Sequence, residues 1–269
     1  MPTSKHHNAI YFVAFCALLT RTFDCFSQNF PAGPRGDPAP AASAPRAVAE
    51  PAQLAPFGLG AGNSLNPLWQ LTTLPGNKVS ATHFEWTRLG DAAALKLTTD
   101  QSYGVLTHRW SGQAPSELAW QWRLDQPLSQ ADITTKSGDD AALKVCVMFR
   151  QPLADIPLFQ RAALALARSA TGQDIPNATL CYLWDSRYPA GTSGVNPYTG
   201  RVRYLVLNGV EAKTGQWLSQ QRRIADDFAR LFGAESPVMP PVIAIAVGAD
   251  SDNTQGASLA YLSQLRWIP

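Results

Sequence analysis

The chain predicts a mainly β fold, a jelly-roll-like antiparallel β-sandwich with two inserted or peripheral helices. Three observations carry that reading. Residues 57–269 divide into short apolar runs split by Gly, Pro, Asp and Ser. In Ala119-Trp120-Gln121-Trp122-Arg123-Leu124 the apolar residues alternate, so Trp120, Trp122 and Leu124 share one face. The run Val145-Cys146-Val147-Met148-Phe149 is apolar on both faces, as a central strand between two layers would be. Many short strands at close spacing pack best as two sheets.

Taken in order, the chain opens with an export signal over residues 1–27. Lys5 precedes an apolar run from Ala9 to Leu19 that Arg21 closes. That run is shorter than the roughly 20 apolar residues of a membrane span and fits a cleaved leader. An uncleaved anchor is the alternative. Residues 28–56 are a Pro/Ala-rich flexible tether with little to bury. Residues 57–269 form a single domain that holds all eight tryptophans. Its strands are expected at His83–Thr87, Ala94–Thr98, Val105–Trp110, Leu118–Leu124, Leu143–Phe149, Thr179–Trp184, Val202–Leu207, Val242–Val247 and Leu259–Trp267.

Two helices interrupt the series. Asp155–Ser169 has an Asp cap, Pro157 in its first turn, and Leu158, Ala162 and Leu166 on one stripe. Ser219–Phe232 has a Ser cap, places Ile224, Phe228 and Leu231 toward the core, and stops at Gly233.

Composition excludes some functions. A formal net charge of +2 gives no general attraction to nucleic acid, and no basic run with interleaved aromatics appears. No stable membrane insertion is expected after signal cleavage. Cys146 and Cys181 lie in apolar runs, so they are either a disulfide of an oxidising compartment or two buried small hydrophobes. His83 and His108 read as ordinary strand residues, and there is no GxSxG, HExxH, Walker loop or GxGxxG.

Charged residues make up only 16% of the chain, yet they gather in three places. These are Lys136-Ser137-Gly138-Asp139-Asp140, Arg222-Arg223 with Asp226-Asp227, and Asp250-Ser251-Asp252-Asn253-Thr254. Such concentration implies one polar site or a buried ion network. Gly138 is free to take positive φ in a tight turn. Asp139 and Asp140 point to opposite faces, and Asp140 can pair with Lys144. Arg222 and Arg223 sit in a helical first turn, where the dipole disfavours cations. Their i,i+4 partners, Asp226 and Asp227, are in the weaker orientation. One or both arginines are therefore expected to reach Asp139, Asp140 or an anionic ligand. Asp250 and Asp252 offer calcium-type oxygens, but Tyr261 stands where an EF-hand has its twelfth-position acid. An Asx-type turn is the alternative. No other cofactor is indicated.

Trp120-x-Trp122-x-Leu124, Lys136-x-Gly138-Asp139-Asp140, Val145-x-Val147-x-Phe149 and Tyr182-x-Trp184 together resemble a bacterial exported family. Trp217, Arg223 with Asp227, Phe232-Gly233 and Asp250-x-Asp252-Asn253-Thr254 extend the resemblance over Trp69 to Trp267. The family is known as domain of unknown function 3047. The resemblance implies a periplasmic or secreted β-sandwich and no established activity. The chain departs from the family at Ser263 and Gln264, where an acid often stands, and at Arg222.

Three functions follow as expectations. The first is a non-enzymatic binding or accessory module for a carbohydrate or cell-envelope polymer, with an aromatic from Tyr188–Tyr198 beside the acidic loops. The second is a glycan hydrolase or lyase using two of Asp139, Asp140, Asp227, Asp250 and Asp252. The third is a structural protein whose charged loops form only an internal network. Ligand and oligomeric state are left open.

Overall fold

The computed structural model describes residues 53–60, 63–74, 79–171 and 175–268. The expected signal segment and most of the tether lie outside the described residues. Two sheets stack face to face. The larger contains β1 (Trp69–Thr72), β2 (Ser80–Ala81), β5 (Ser102–Arg109), β7 (Leu143–Phe149), β8 (Ala178–Trp184), β9 (Ser193–Asn196), β10 (Thr199–Asn208) and β12 (Val242–Asp250). Its order is β1-β5-β12-β7-β8-β10-β9, with β2 on β5. The smaller runs β11 (Leu218–Arg223), β6 (Glu117–Gln126), β13 (Ala257–Ile268), β4 (Ala92–Asp100) and β3 (His83–Leu89). Pairing is antiparallel except at β8–β10 and β2–β5, which are parallel.

The alternation in β6 has its expected cause. Trp120, Trp122 and Leu124 point into the gap between the sheets, where they meet Tyr182 and Trp184 of β8. The two-sided apolar strands have a cause as well, because both faces of the large sheet are covered. Val145, Val147, Leu180, Tyr182, Ile245 and Val247 face the inter-sheet core. Cys146, Met148, Cys181, Leu183, Val202, Tyr204 and Ala246 form a second apolar layer on the outer face. Cys146 and Cys181 are direct partners in the β7–β8 register and are disulfide-bonded.

The helices depart from expectation. The first, α1 (Leu158–Thr171), starts after Pro157, and Asp155 belongs to a preceding 3-10 turn at Leu153–Asp155. Asp155 does not cap the helix; it accepts a hydrogen bond from Ser236 Oγ. Leu158, Ala162 and Leu166 are exposed, whereas Leu164 is buried. The second, α2 (Ile224–Phe232), begins five residues later than expected, because Ser219–Arg223 pair with β6 as strand β11. Glu117 to Trp122 leave a sheet edge open, and pairing along it outweighs helical propensity in Ser219–Arg223. No helix among the described residues is long and apolar enough to cross a membrane.

Residues 53–56, which composition assigns to the tether, are packed on the domain. Leu54 is buried, Ala55 N–H donates to His108 Nε2 at 3.2 Å, and Trp69 Nε1 donates to Ala55 O.

Candidate functional site

A cavity of about 70 Å³ opens on the outer face of the large sheet. Its floor is apolar, from Cys181, Leu183 and Val202. Tyr103, Tyr198 and Tyr204 stand in the wall. The remainder is polar: Asp139, Asp140, Lys144, Asn196, Asp250, Asp252 and Asn253.

Two of the three charged segments predicted from sequence meet here, and strand geometry brings them together. β12 ends at Asp250, whose side chain falls on the outer face because Ala249 faces inward. β7 begins three residues after Asp140, so the 136–141 loop arrives at the same end of the sheet. Lys144, next to Gly248 in register, reaches Asp250 Oδ2 at 2.7 Å. A Cβ on Gly248 would lie 2.9 Å from Gly104 O of β5, so glycine here permits the close approach of the two strands. Ala141 N–H donates to Asp250 Oδ1 at 2.8 Å. Lys144 therefore pairs with Asp250, and Asp250 makes a long-range bond to the 136–141 loop.

Asp140 latches the loops. Its Oδ2 accepts from Thr254 N at 2.7 Å and Thr254 Oγ1 at 2.5 Å, and its Oδ1 accepts from Asn253 N and Nδ2 at 3.2 and 3.3 Å. Gly138 is required for space, not for positive φ. Its φ is not positive, and a Cβ there would sit 2.8 Å from Asp132 N.

Asp139 and Asp252 are the two carboxyls left facing the cavity with spare capacity. Asp139 accepts one bond, from Asn196 Nδ2 at 2.7 Å. Burial, and then the charge of Asp250, raises its pKa to about 7. Asp252 Oδ1 is buried without a hydrogen-bond partner. Burial, and then Asp250 and Asp140, likewise raise its pKa to about 7. Asp250 is also pushed upward by burial, against the pull of Lys144. Tyr198 Oη donates to Lys136 O at 2.8 Å, and the Lys136 ammonium lies 5.4 Å from the Tyr198 ring centre. The aromatic expected from Tyr188–Tyr198 is thus Tyr198.

Asp140, Asp250 and Asp252 present oxygens within 4.8 Å of one another. Calcium takes six to eight oxygens. Here the oxygens of Asp140 and Asp250 accept from protein donors, among them the Lys144 ammonium on Asp250.

The third segment is elsewhere. Arg222 makes a two-pronged pair with Asp227, Nε to Oδ2 at 2.9 Å and Nη2 to Oδ1 at 2.5 Å. Tyr182 Oη donates to the same carboxylate at 2.8 Å. Arg223 pairs with Asp226 at 3.4 Å in the open. Neither arginine turns toward Asp139 or Asp140. Their i,i+4 pairing fails because Arg222 and Arg223 are on a strand, not a helix.

Sequence reasoning missed Asn196, Tyr103 and Tyr204. The signal available was parity: Tyr103 alternates with Gly104 at the start of β5, and Tyr204 with Leu205 in β10. Which face becomes a cavity is not written in that alternation.

No curated protein matches the chain. Among solved structures, the xyloglucanase domain of NopAA, a type three effector from Sinorhizobium fredii, in complex with cellobiose is similar at 10% identity and TM-score 0.38. That match covers 76% of this chain and 95% of that one. The cleaved adhesin domain K3 of Lys-gingipain from Porphyromonas gingivalis is similar at 8% identity and TM-score 0.33, covering 76% and 93%. The family GH12 endoglucanase 3 of Trichoderma harzianum is similar at 10% identity and TM-score 0.35, covering 74% and 89%. Residues 67–266 match the model of one family, and this chain belongs to it: protein of unknown function, DUF3047.

Proposed function

We propose that this chain is an exported, non-enzymatic binding or accessory module that takes the end of a carbohydrate or cell-envelope polymer into the outer-face cavity. One observation carries the reading: a single small cavity joins three tyrosine side chains to the open carboxyls Asp139 and Asp252 and the amides Asn196 and Asn253. Sugar hydroxyls call for planar acceptors and donors, and sugar C–H faces pack on aromatic rings. A volume of about 70 Å³ holds on the order of five water molecules, so it receives one or two hydroxyl-bearing carbons and not a length of polymer.

A second reading has its own support. Two carboxyls near pKa 7 in one cavity are suited to proton transfer at neutral pH. As a hydrolase, the protein would use Asp139 and Asp252 as its acid and base.

Calorimetric titration of the protein with cello-, xylo- and chito-oligosaccharides and with peptidoglycan fragments tests both. Saturable binding that Asp252→Asn or Asp139→Asn abolishes in a folded protein supports the binding module. New reducing ends, lost in both variants, would replace it with the hydrolase. No heat from any glycan would sink both.

A further inference from the structure

In α1 the ordinary arrangement of faces is reversed. Arg161 turns inward to donate to Ile156 O at 3.1 Å, and Arg168 donates to Ile175 O and Asn177 Oδ1. Gln160 Oε1 accepts from Arg201 Nε at 2.7 Å, and Leu164 is the buried apolar side chain of this face. The opposite arc, about 160° wide at 100° per residue, carries Leu158, Phe159, Ala162, Ala163, Ala165 and Leu166. Leu158, Phe159 and Leu166 are 76%, 91% and 72% exposed, and Leu153 beside them is 47% exposed. A monomeric domain turns such a face inward. This one holds its polar side chains inside as clamps on loop carbonyls and shows water its apolar ones.

We infer that α1 is the self-association surface of this chain, two copies packing antiparallel across a two-fold axis at Ala162. An isologous contact must be complementary to itself. The stripe Leu158, Ala162, Leu166 reads the same in both directions, so a two-fold axis at Ala162 sets Leu158 against the partner's Leu166. Alanine at the crossing permits an interaxial distance near 8 Å. The exposed arc holds no ionisable side chain, so a copy facing it meets no like charge. Size agrees. The four exposed large side chains offer on the order of 500 Å² per copy, at about 150–200 Å² for each when fully exposed. Burying all four completely in both copies reaches the lower bound of roughly 1,000 Å² for a biological interface, which makes this a weak, concentration-dependent dimer.

Sedimentation velocity of the full chain over about two decades of concentration reads the association directly. The expected result is a dimer whose dissociation constant rises at least about tenfold in Ala162→Arg, with an unchanged far-ultraviolet spectrum. In a Cys16→Ser, Cys25→Ser background, Ala162→Cys is expected to cross-link to its own copy under mild oxidation, and Leu158→Cys to cross-link only when mixed with Leu166→Cys. A monomer throughout would overturn the inference. So would a dimer indifferent to Ala162→Arg, which would place the contact elsewhere in the chain. Binding to phosphatidylglycerol vesicles that Ala162→Arg abolishes, without any dimer, would also overturn it by giving the face to lipid.

Discussion

Four hydrogen bonds converge on the carboxylate of Asp140, and through them it joins Asn253 and Thr254, 113 and 114 residues away in the chain. Asp140→Ala leaves the half-buried Thr254 and Asn253 donors without their partner, which costs about 2 kcal/mol; urea unfolding would read this as a lower midpoint at unchanged slope. Asp139 and Asp252 act oppositely. Both have pKa values near 7 in the folded protein against an ordinary 3.8. A folded chain that holds protons the unfolded chain has released is favoured at low pH. Their contribution is complete below about pH 4 and is lost as pH rises through 7. Thermal melts are therefore expected at higher temperature at pH 5 than at pH 8, and the Asp139→Asn, Asp252→Asn double variant should flatten that difference. An unaltered slope would show that neither carboxyl titrates near neutrality. Asp139, Asp140, Asp250 and Asp252 were each legible in the sequence as candidates, since carboxylates are rare in so apolar a chain. Their division of labour was not. Which oxygen meets a donor depends on strands that lie adjacent only after folding.

At the scale of elements, the main strands were readable, and so was the second helix apart from its start. Nine apolar runs became strands because period-two alternation reports a face, and each face found a layer to cover it. Ser219–Arg223 has residues that suit a helical start, yet it extends along β6 because that strand's edge offers backbone partners at every position. The consequence reaches Arg222. From the strand it spans to Asp227, which is 3% exposed, and the pair closes over Tyr182 Oη. Arg222→Ala removes the cation and leaves a buried carboxylate, costing about 3–5 kcal/mol. Tyr182→Phe, which removes one bond, costs about 1 kcal/mol. A double-mutant cycle in guanidinium would measure their coupling, and equal costs would show that the arginine adds nothing electrostatic.

For the whole molecule, the disulfide and the sandwich are coupled. Cys146–Cys181 closes a loop of 35 residues that contains α1, and its sulfurs lie on the outer face of the large sheet. Closing a loop of that length stabilises by about 3–4 kcal/mol through the unfolded chain. The Cys146→Ala, Cys181→Ala variant should lose that much on denaturant unfolding. A loss below about 1 kcal/mol would mean that the reduced unfolded chain already holds these two segments together. Cys181 also floors the cavity, so the same variant should weaken any ligand that reaches the floor.

Local pattern decided where nine of the strands lie, that they are covered on one face or two, and where charge is concentrated, because alternation and composition are properties of neighbours in the chain. Three things were decided only by the fold: that Asp139 and Asp252 share a cavity, that Asp227 belongs to the core, and that the apolar stripe of α1 faces outward. Each depends on which strand ends lie side by side and on which face of the large sheet receives the connecting segments. Those are contacts between residues tens to more than a hundred positions apart, and no local period carries them.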